Sequence, residues 1–137
     1  MSLVLDSSVT IAWAYNDETT LPVLNVFDRI IANGAWVPSL WRIEVANVLE
    51  MKVRSRRIDA VFRDSALTNL SLLPISIDQE TDRQAWGATL RLAERHRLTL
   101  YDAVYLELAL RRALPLATLD LELRAAAKAE GVKLLGV

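Results

Sequence analysis

Short apolar runs alternate along this chain with longer stretches in which apolar residues recur every three or four positions. The run Leu3-Val4-Leu5 predicts a buried strand over 2–5. Helical spacing follows over 9–15 and again over 21–32, where Asn33-Gly34 supplies a stop. Ala35-Trp36-Val37 reads as a strand ended by Pro38, and Ser39 as the cap of a long helix reaching Arg54. Asp59 caps a further helix to Leu70. Residues 73–77 form a strand that Pro74 assigns to a sheet edge. Helices over 81–95 and 101–113, a strand over 116–118, a helix over 121–129 and a strand over 133–135 follow. This alternation predicts an α/β fold of three layers, α/β/α, with a mostly parallel sheet of about five short strands between helices.

In such a sheet the ligand crevice lies outside the carboxyl ends of the strands, where the strand order reverses. Asp6 ends the first strand and Asp120 follows the run Leu116-Ala117-Thr118-Leu119, so both face that crevice. Glu44 lies one turn into its helix, with Leu40, Val48 and Met51 at helical spacing and Asn47 three positions on. A polar pair on an apolar face needs a reason, and a site supplies one. Asp102 opens the helix after Thr99. Each acid also has a structural reading: Asp6 as a turn or helix cap, Glu44 as a solvated side chain, Asp102 within a capping box, Asp120 as a helix cap. Together, four carboxylates at one crevice repel one another unless a cation sits among them. Hard divalent ions, which prefer oxygen ligands, match that donor set.

The 137 residues fit a single domain over 1–137, and a hydrophobic fraction of 53% allows a filled core with apolar surface to spare. A net charge of −1 means that nucleic-acid contact requires a local basic patch. The absence of cysteine excludes disulfides, thiolate metal sites and cysteine nucleophiles, and suits a reducing cytoplasm. No apolar stretch is long enough to span a bilayer, and no basic segment precedes the first strand, so neither a membrane anchor nor a signal peptide is expected. The single histidine, His96, lies among Glu94, Arg95 and Arg97, which reads as a solvated helix end and disfavours a Ser-His-Asp triad.

Four segments, in order, resemble PIN-domain ribonucleases, and most closely the VapC toxins of prokaryotic toxin–antitoxin pairs. They are Val4-Leu5-Asp6-Ser7-Ser8, Glu44-Val45-Ala46-Asn47-Val48-Leu49, Leu100-Tyr101-Asp102-Ala103 and Leu116-Ala117-Thr118-Leu119-Asp120. None is specific alone, but the ordered set covers essentially the whole chain. One departure is mild: Leu121-Glu122-Leu123 stands where the family often has an aromatic residue, and Glu122 adds a carboxylate beside the site.

The resemblance implies a ribonuclease in which Asp6, Glu44, Asp102 and Asp120 hold one or two Mg²⁺ or Mn²⁺ ions. Asp6 and Asp102 are the firmest expected ligands, with Glu44 and Asp120 binding through water or completing a second site. Ser7, Asn47 and Thr118 are candidates to orient carboxylates or waters. It also implies an RNA substrate, a homodimer, and a cognate antitoxin protein lying across the active-site groove. Lys52, Arg54, Arg56 and Arg57 form the densest basic run, either a solvated helix end or a phosphate track. Arg42 and Arg95-His96-Arg97 are weaker candidates for the same role, and Trp13, Trp36, Trp41 and Trp86 are expected mainly in the core.

Two other readings compete. An aspartyl-phosphate domain would use Asp6 as nucleophile, but Ser8 stands where a second aspartate belongs, and the paired N-terminal acids of a receiver domain are missing. A degenerate binding module has no need to keep all four acids. A dinucleotide-binding domain is disfavoured because no Gly-x-Gly-x-x-Gly follows the first strand.

Overall fold

The computed structural model describes residues 1–15 and 19–137. Its sheet comprises β1 (Val4–Leu5), β2 (Ala35–Val37), β3 (Ile75–Ile77), β4 (Leu116–Ala117) and β5 (Leu134–Leu135). The spatial order is β3-β2-β1-β4-β5, and every pairing is parallel. Eight helices among the described residues connect them: α1 (Ser7–Ala14), α2 (Leu21–Asn33), α3 (Trp41–Arg54), α4 (Ala60–Ser71), α5 (Thr81–Gln84), α6 (Ala88–His96), α7 (Leu100–Arg112) and α8 (Leu121–Ala129).

This order determines where the helices go. The chain steps outward from β1 to β2 to β3, then returns past β1 to β4 and β5. Right-handed crossovers put the first two connections on one face and the last two on the other. The contacts agree: α1 packs with α2 and α3, and α3 with α4, while α7 packs with α6, α8, β1 and β4. The strand order reverses between β1 and β4, which makes that pair the switch point.

The core follows the same logic. Leu3, Val4, Leu5, Leu116 and Ala117 are fully buried, as expected for central parallel strands covered on both faces. Helix α7 is buried without a break from Ala103 to Ala109, because it lies between the sheet and two helices. Its far end is anchored by ions: Arg111 bonds the buried Asp78 carboxylate at 2.7 Å and Glu107 at 2.8 Å, and Arg112 lies over the Trp36 ring at 3.4 Å. Burial works against ionisation of Asp78, but the Arg111 guanidinium outweighs it and holds that carboxyl below its ordinary range.

Three local expectations are corrected. Ser39 does not cap α3; Leu40 takes that position without a side-chain bond, and the Ser39 N–H instead donates to Thr81 Oγ1 at 3.1 Å. The helix expected over 81–95 breaks at Ala85–Gly87 into α5 and α6, leaving Trp86 89% exposed rather than in the core. The buried stripe of α3 is Trp41, Val45 and Leu49, one residue round from the face inferred for Glu44. The Asn33-Gly34 stop holds, as does the edge position of β3. No described helix is long and apolar enough to cross a membrane.

Gly34 closes α2 with φ 77°, and a Cβ there would meet Pro74 O at 3.1 Å. The substitution Gly34→Ala combines a positive φ with that contact. It should lower stability by about 2 kcal/mol in denaturant unfolding; an unchanged midpoint would contradict the geometry.

Candidate active site

Strand β1 delivers Asp6 to the switch point, where it also caps α1. The residue is only 4% exposed. A carboxylate buried this far needs donors, and three meet its Oδ2: Ser8 Oγ at 2.6 Å, Thr118 Oγ1 at 2.8 Å and the Ser8 N–H at 3.4 Å. Each hydroxyl also accepts a backbone N–H from the exit of β4. Ser8 Oγ takes Leu119 N at 2.9 Å, and Thr118 Oγ1 takes Asp120 N at 3.1 Å. Both hydroxyl protons are therefore free to point at Asp6, and the two ends of the chain are stitched together beneath one carboxylate.

Helix α7 enters the same place with its N-terminus. Thr99 Oγ1 accepts the Asp102 N–H at 3.2 Å, as the Thr-x-x-Asp spacing implied. Three residues on, and so on the same face, Tyr105 is fully buried, and its hydroxyl donates a short hydrogen bond to Glu44 Oε1 on the first turn of α3. Asp120 serves as the cap of α8, with Oδ1 accepting the N–H groups of Glu122 at 2.9 Å and Leu123 at 3.1 Å. Its structural and site positions thus coincide.

The electrostatics show that these groups share one environment. Burial pushes the Asp102 carboxyl up to about 6, with the charges of Asp120, Asp6 and Glu122 adding to the effect. Burial also raises Glu44, outweighing the Tyr105 hydrogen bond, and Asp6 and Asp102 push it further. Asp6 is raised by burial against its hydroxyl donors. Tyr105 is held far above the ordinary phenol range, first by burial and then by Asp6 and Glu44, so it remains a proton donor. A cation would relieve every one of these shifts. Among the described residues, no three His, Cys, Asp or Glu side chains are preset as a closed metal cage. The donor set is nevertheless all oxygen, and it suits an ion such as Mg²⁺ that binds through one or two carboxylates and keeps several waters.

The other sequence candidates separate. Thr118 bonds Asp6 directly. The Ser7 N–H also serves Asp6, while the Ser7 hydroxyl faces Tyr105. Asn47 lies exposed on α3. Lys52 lies over the Tyr15 ring at 4.4 Å, Arg54 pairs with Glu50 at 3.4 Å, and Arg56 and Arg57 are exposed beyond the helix end. His96 is not solvated: it meets Glu130 at 2.6 Å and is 14% exposed. Trp41 is core and donates to Thr10 Oγ1 at 3.0 Å, and Trp13 stacks on Phe27 at 4.5 Å. Ser8 and Tyr105 were not singled out from sequence. Ser8 lies two residues after Asp6, the spacing of a side-chain cap, and Tyr105 shares a helical face with Asp102, so both signals were present.

The parallel sheet thus gathers Asp6, Thr118 and Asp120 at its switch point, and flanking helices bring up Asp102 and Glu44. The PIN domain family model matches residues 3–129, and the chain belongs to the PIN domain family. Among solved structures, that of PAE2754 from Pyrobaculum aerophilum is 27% identical, with a TM-score of 0.70 over 98% of this chain and 92% of that one. VapBC2 from Rickettsia felis, bound to a DNA fragment from its promoter, is 13% identical and shares the fold, with a TM-score of 0.66 over 98% and 97% of the two chains. No curated protein matches the sequence.

The raised carboxyls carry a sign for stability. Between the ordinary aspartate value of 3.8 and about 6, the native state holds a proton on Asp102 that the unfolded chain has released. Its contribution is therefore unfavourable above that window and is relieved as pH falls through it. Asp78 and Glu130, whose pKa values are lowered, lose their stabilisation only below the ordinary carboxyl range. The metal-free protein should melt higher at about pH 5 than at about pH 7.5. Asp102→Asn should narrow that gap and raise the pH 7.5 midpoint, as read by calorimetry.

Proposed function

We propose that this chain is a metal-dependent endoribonuclease of the VapC kind, the toxin of a toxin–antitoxin pair. The observation that carries this reading is the convergence of acids at the switch point: burial raises Asp6, Glu44 and Asp102, and neighbouring carboxylates raise Glu44 and Asp102 further. Buried carboxylates that repel one another are unfavourable for folding, and their arrangement makes sense as a cation seat. Membership of the PIN domain family supports the nuclease chemistry. The fold shared with VapBC2 supports the toxin role, a cognate antitoxin as partner, and with it a cytoplasmic setting.

In this reading Asp6, Glu44, Asp102 and Asp120 hold one or two Mg²⁺ or Mn²⁺ ions. Such ions supply charge neutralisation at the scissile phosphate and a more acidic water. The rest is the work of the chain. Ser8 and Thr118 favour the ionised form of Asp6 against its burial and fix its direction. Tyr105 holds Glu44 through its hydroxyl at a place where the charges of Asp6 and Asp102 reach it. Burial of Asp6 and Tyr105 excludes water from the inner wall, which strengthens every charge interaction there. The substrate is RNA, and a second copy of this chain completes a homodimer. A binding module that had lost its chemistry would retain no reason for the cost of this cluster.

Purified protein, freed of any partner, should cleave RNA with Mg²⁺ or Mn²⁺ and stop when EDTA is added. Asp6→Asn and Asp102→Asn should each lower cleavage about a hundredfold or more while the circular dichroism spectrum is kept. Tyr105→Phe should cost roughly tenfold through loss of Glu44 orientation. Full activity in both Asn variants would remove the site assignment.

A further inference from the structure

Helices α1 and α3 pack together, both beginning at the acidic cluster. Asp6 caps α1 and Tyr15 ends it; Glu44 lies on the first turn of α3, and Lys52, two turns on, reaches the Tyr15 ring. Glu44, Val48 and Lys52 fall on one face of α3, four residues apart. At 1.5 Å of rise per residue, the far ends of the two helices lie about 13 Å from the acids. There an open cleft of about 780 Å³ is lined by Tyr15, Val53, Arg56, Arg57, Ile58 and Phe62. Asp59 also borders it, but its carboxylate is engaged in capping α4 through Phe62 N at 2.8 Å.

Arg56 is the unusual residue of this cleft. Its φ is 62°, the left-handed region. It ends α3 in a six-residue turn: Arg57 N–H returns to Lys52 O at 2.9 Å and Arg56 N–H to Val53 O at 3.0 Å. Glycine is the residue that turn favours, and an arginine backbone is strained in it. Nothing in the turn requires the side chain. Among the described residues neither Arg56 nor Arg57 has an ion-pair partner, and both are exposed, whereas Arg54 is paired with Glu50. Beside these two guanidinium groups stand Tyr15 and Phe62, edge to face at 6.5 Å.

We propose that this cleft is a remote subsite for single-stranded RNA: Arg56 and Arg57 bind backbone phosphates, and the Tyr15–Phe62 pair receives an unstacked base. The inference rests on the ribonuclease reading and sharpens it, because the bound strand would run along α1 and α3 to the acidic cluster. Two guanidinium groups without an ion-pair partner among the described residues, beside an aromatic floor, match the chemistry of a single strand, which offers phosphates and free base faces together. They also supply the local basic patch that a chain of net charge −1 needs for such a substrate.

The test measures binding apart from cleavage. The Asp6→Asn protein, full length and with Mg²⁺, is titrated with a labelled single-stranded oligoribonucleotide of about twelve nucleotides. In that background, Arg56→Gly with Arg57→Gln should weaken binding on the order of tenfold and flatten the slope of log affinity against log salt by about 1.4. Arg56→Gly alone should raise the melting temperature, which separates lost binding from lost folding. Arg91→Gln, an exposed cation on α6, should leave binding and slope as they were. Unchanged affinity and slope in the double variant overturn the subsite while leaving the nuclease reading intact. Retained RNA binding with loss of antitoxin binding also overturns it, and gives the cleft to a protein partner. If wild-type protein binds RNA through these arginines yet cleaves none, the subsite stands and the nuclease reading falls.

Discussion

A carboxylate sealed beneath the central strand of a sheet is the constraint around which this molecule is arranged. Asp6 is buried, which raises its pKa, and its charged form depends on the donors that the fold brings to it. Its two hydroxyl donors come from opposite ends of the sequence, Ser8 at the start of α1 and Thr118 at the end of β4. Each is oriented by a backbone N–H that occupies its acceptor side. Hydrogen bonding, strand pairing and helix capping therefore converge on one side chain. Loss of either hydroxyl would disturb the β1–β4 junction as well as the acid.

Helix α7 is the second fixed part. It carries Asp102 at one end and the Arg111–Asp78–Glu107 ion cluster at the other, with an unbroken buried stretch between them. A helix clamped along its length cannot easily slide or rotate. Tyr105 and Asp102 are thus presented to Glu44 from a rigid support rather than from a loop. Arg124 does similar work at the opposite edge, donating to Thr118 O at 2.7 Å and Leu135 O at 3.1 Å and so tying β4 to β5.

Much of this was legible in the chain. The alternation of short apolar runs and helical stretches predicted the parallel sheet, and the four acids fell beside its switch point because strand ends and helix starts are visible locally. What stayed hidden was set by distant partners. Leu40, Val48 and Met51 gave α3 a plausible apolar face, but the face actually buried is that of Trp41, Val45 and Leu49, chosen by packing against other elements. The break at Ala85–Gly87 interrupts a periodicity that is continuous in sequence. Asp78, one of the most buried charges, was silent because its cationic partners lie over thirty residues away. Asp120 caps α8 while its charge acts on Asp102, so the cap and the candidate-site readings share one geometry that spacing alone does not separate.

The stitching of Asp6 to Thr118 also sets when the crevice can exist. During synthesis β1 emerges first, yet its partner β4 and the hydroxyl of Thr118 arrive 112 residues later. Until then Asp6 lacks one of the three donors to its Oδ2, and its strand has no neighbour on one side. A polypeptide still on the ribosome therefore carries the acids without their arrangement. The arrangement is completed only when the segment carrying β4 and Thr118 pairs with β1.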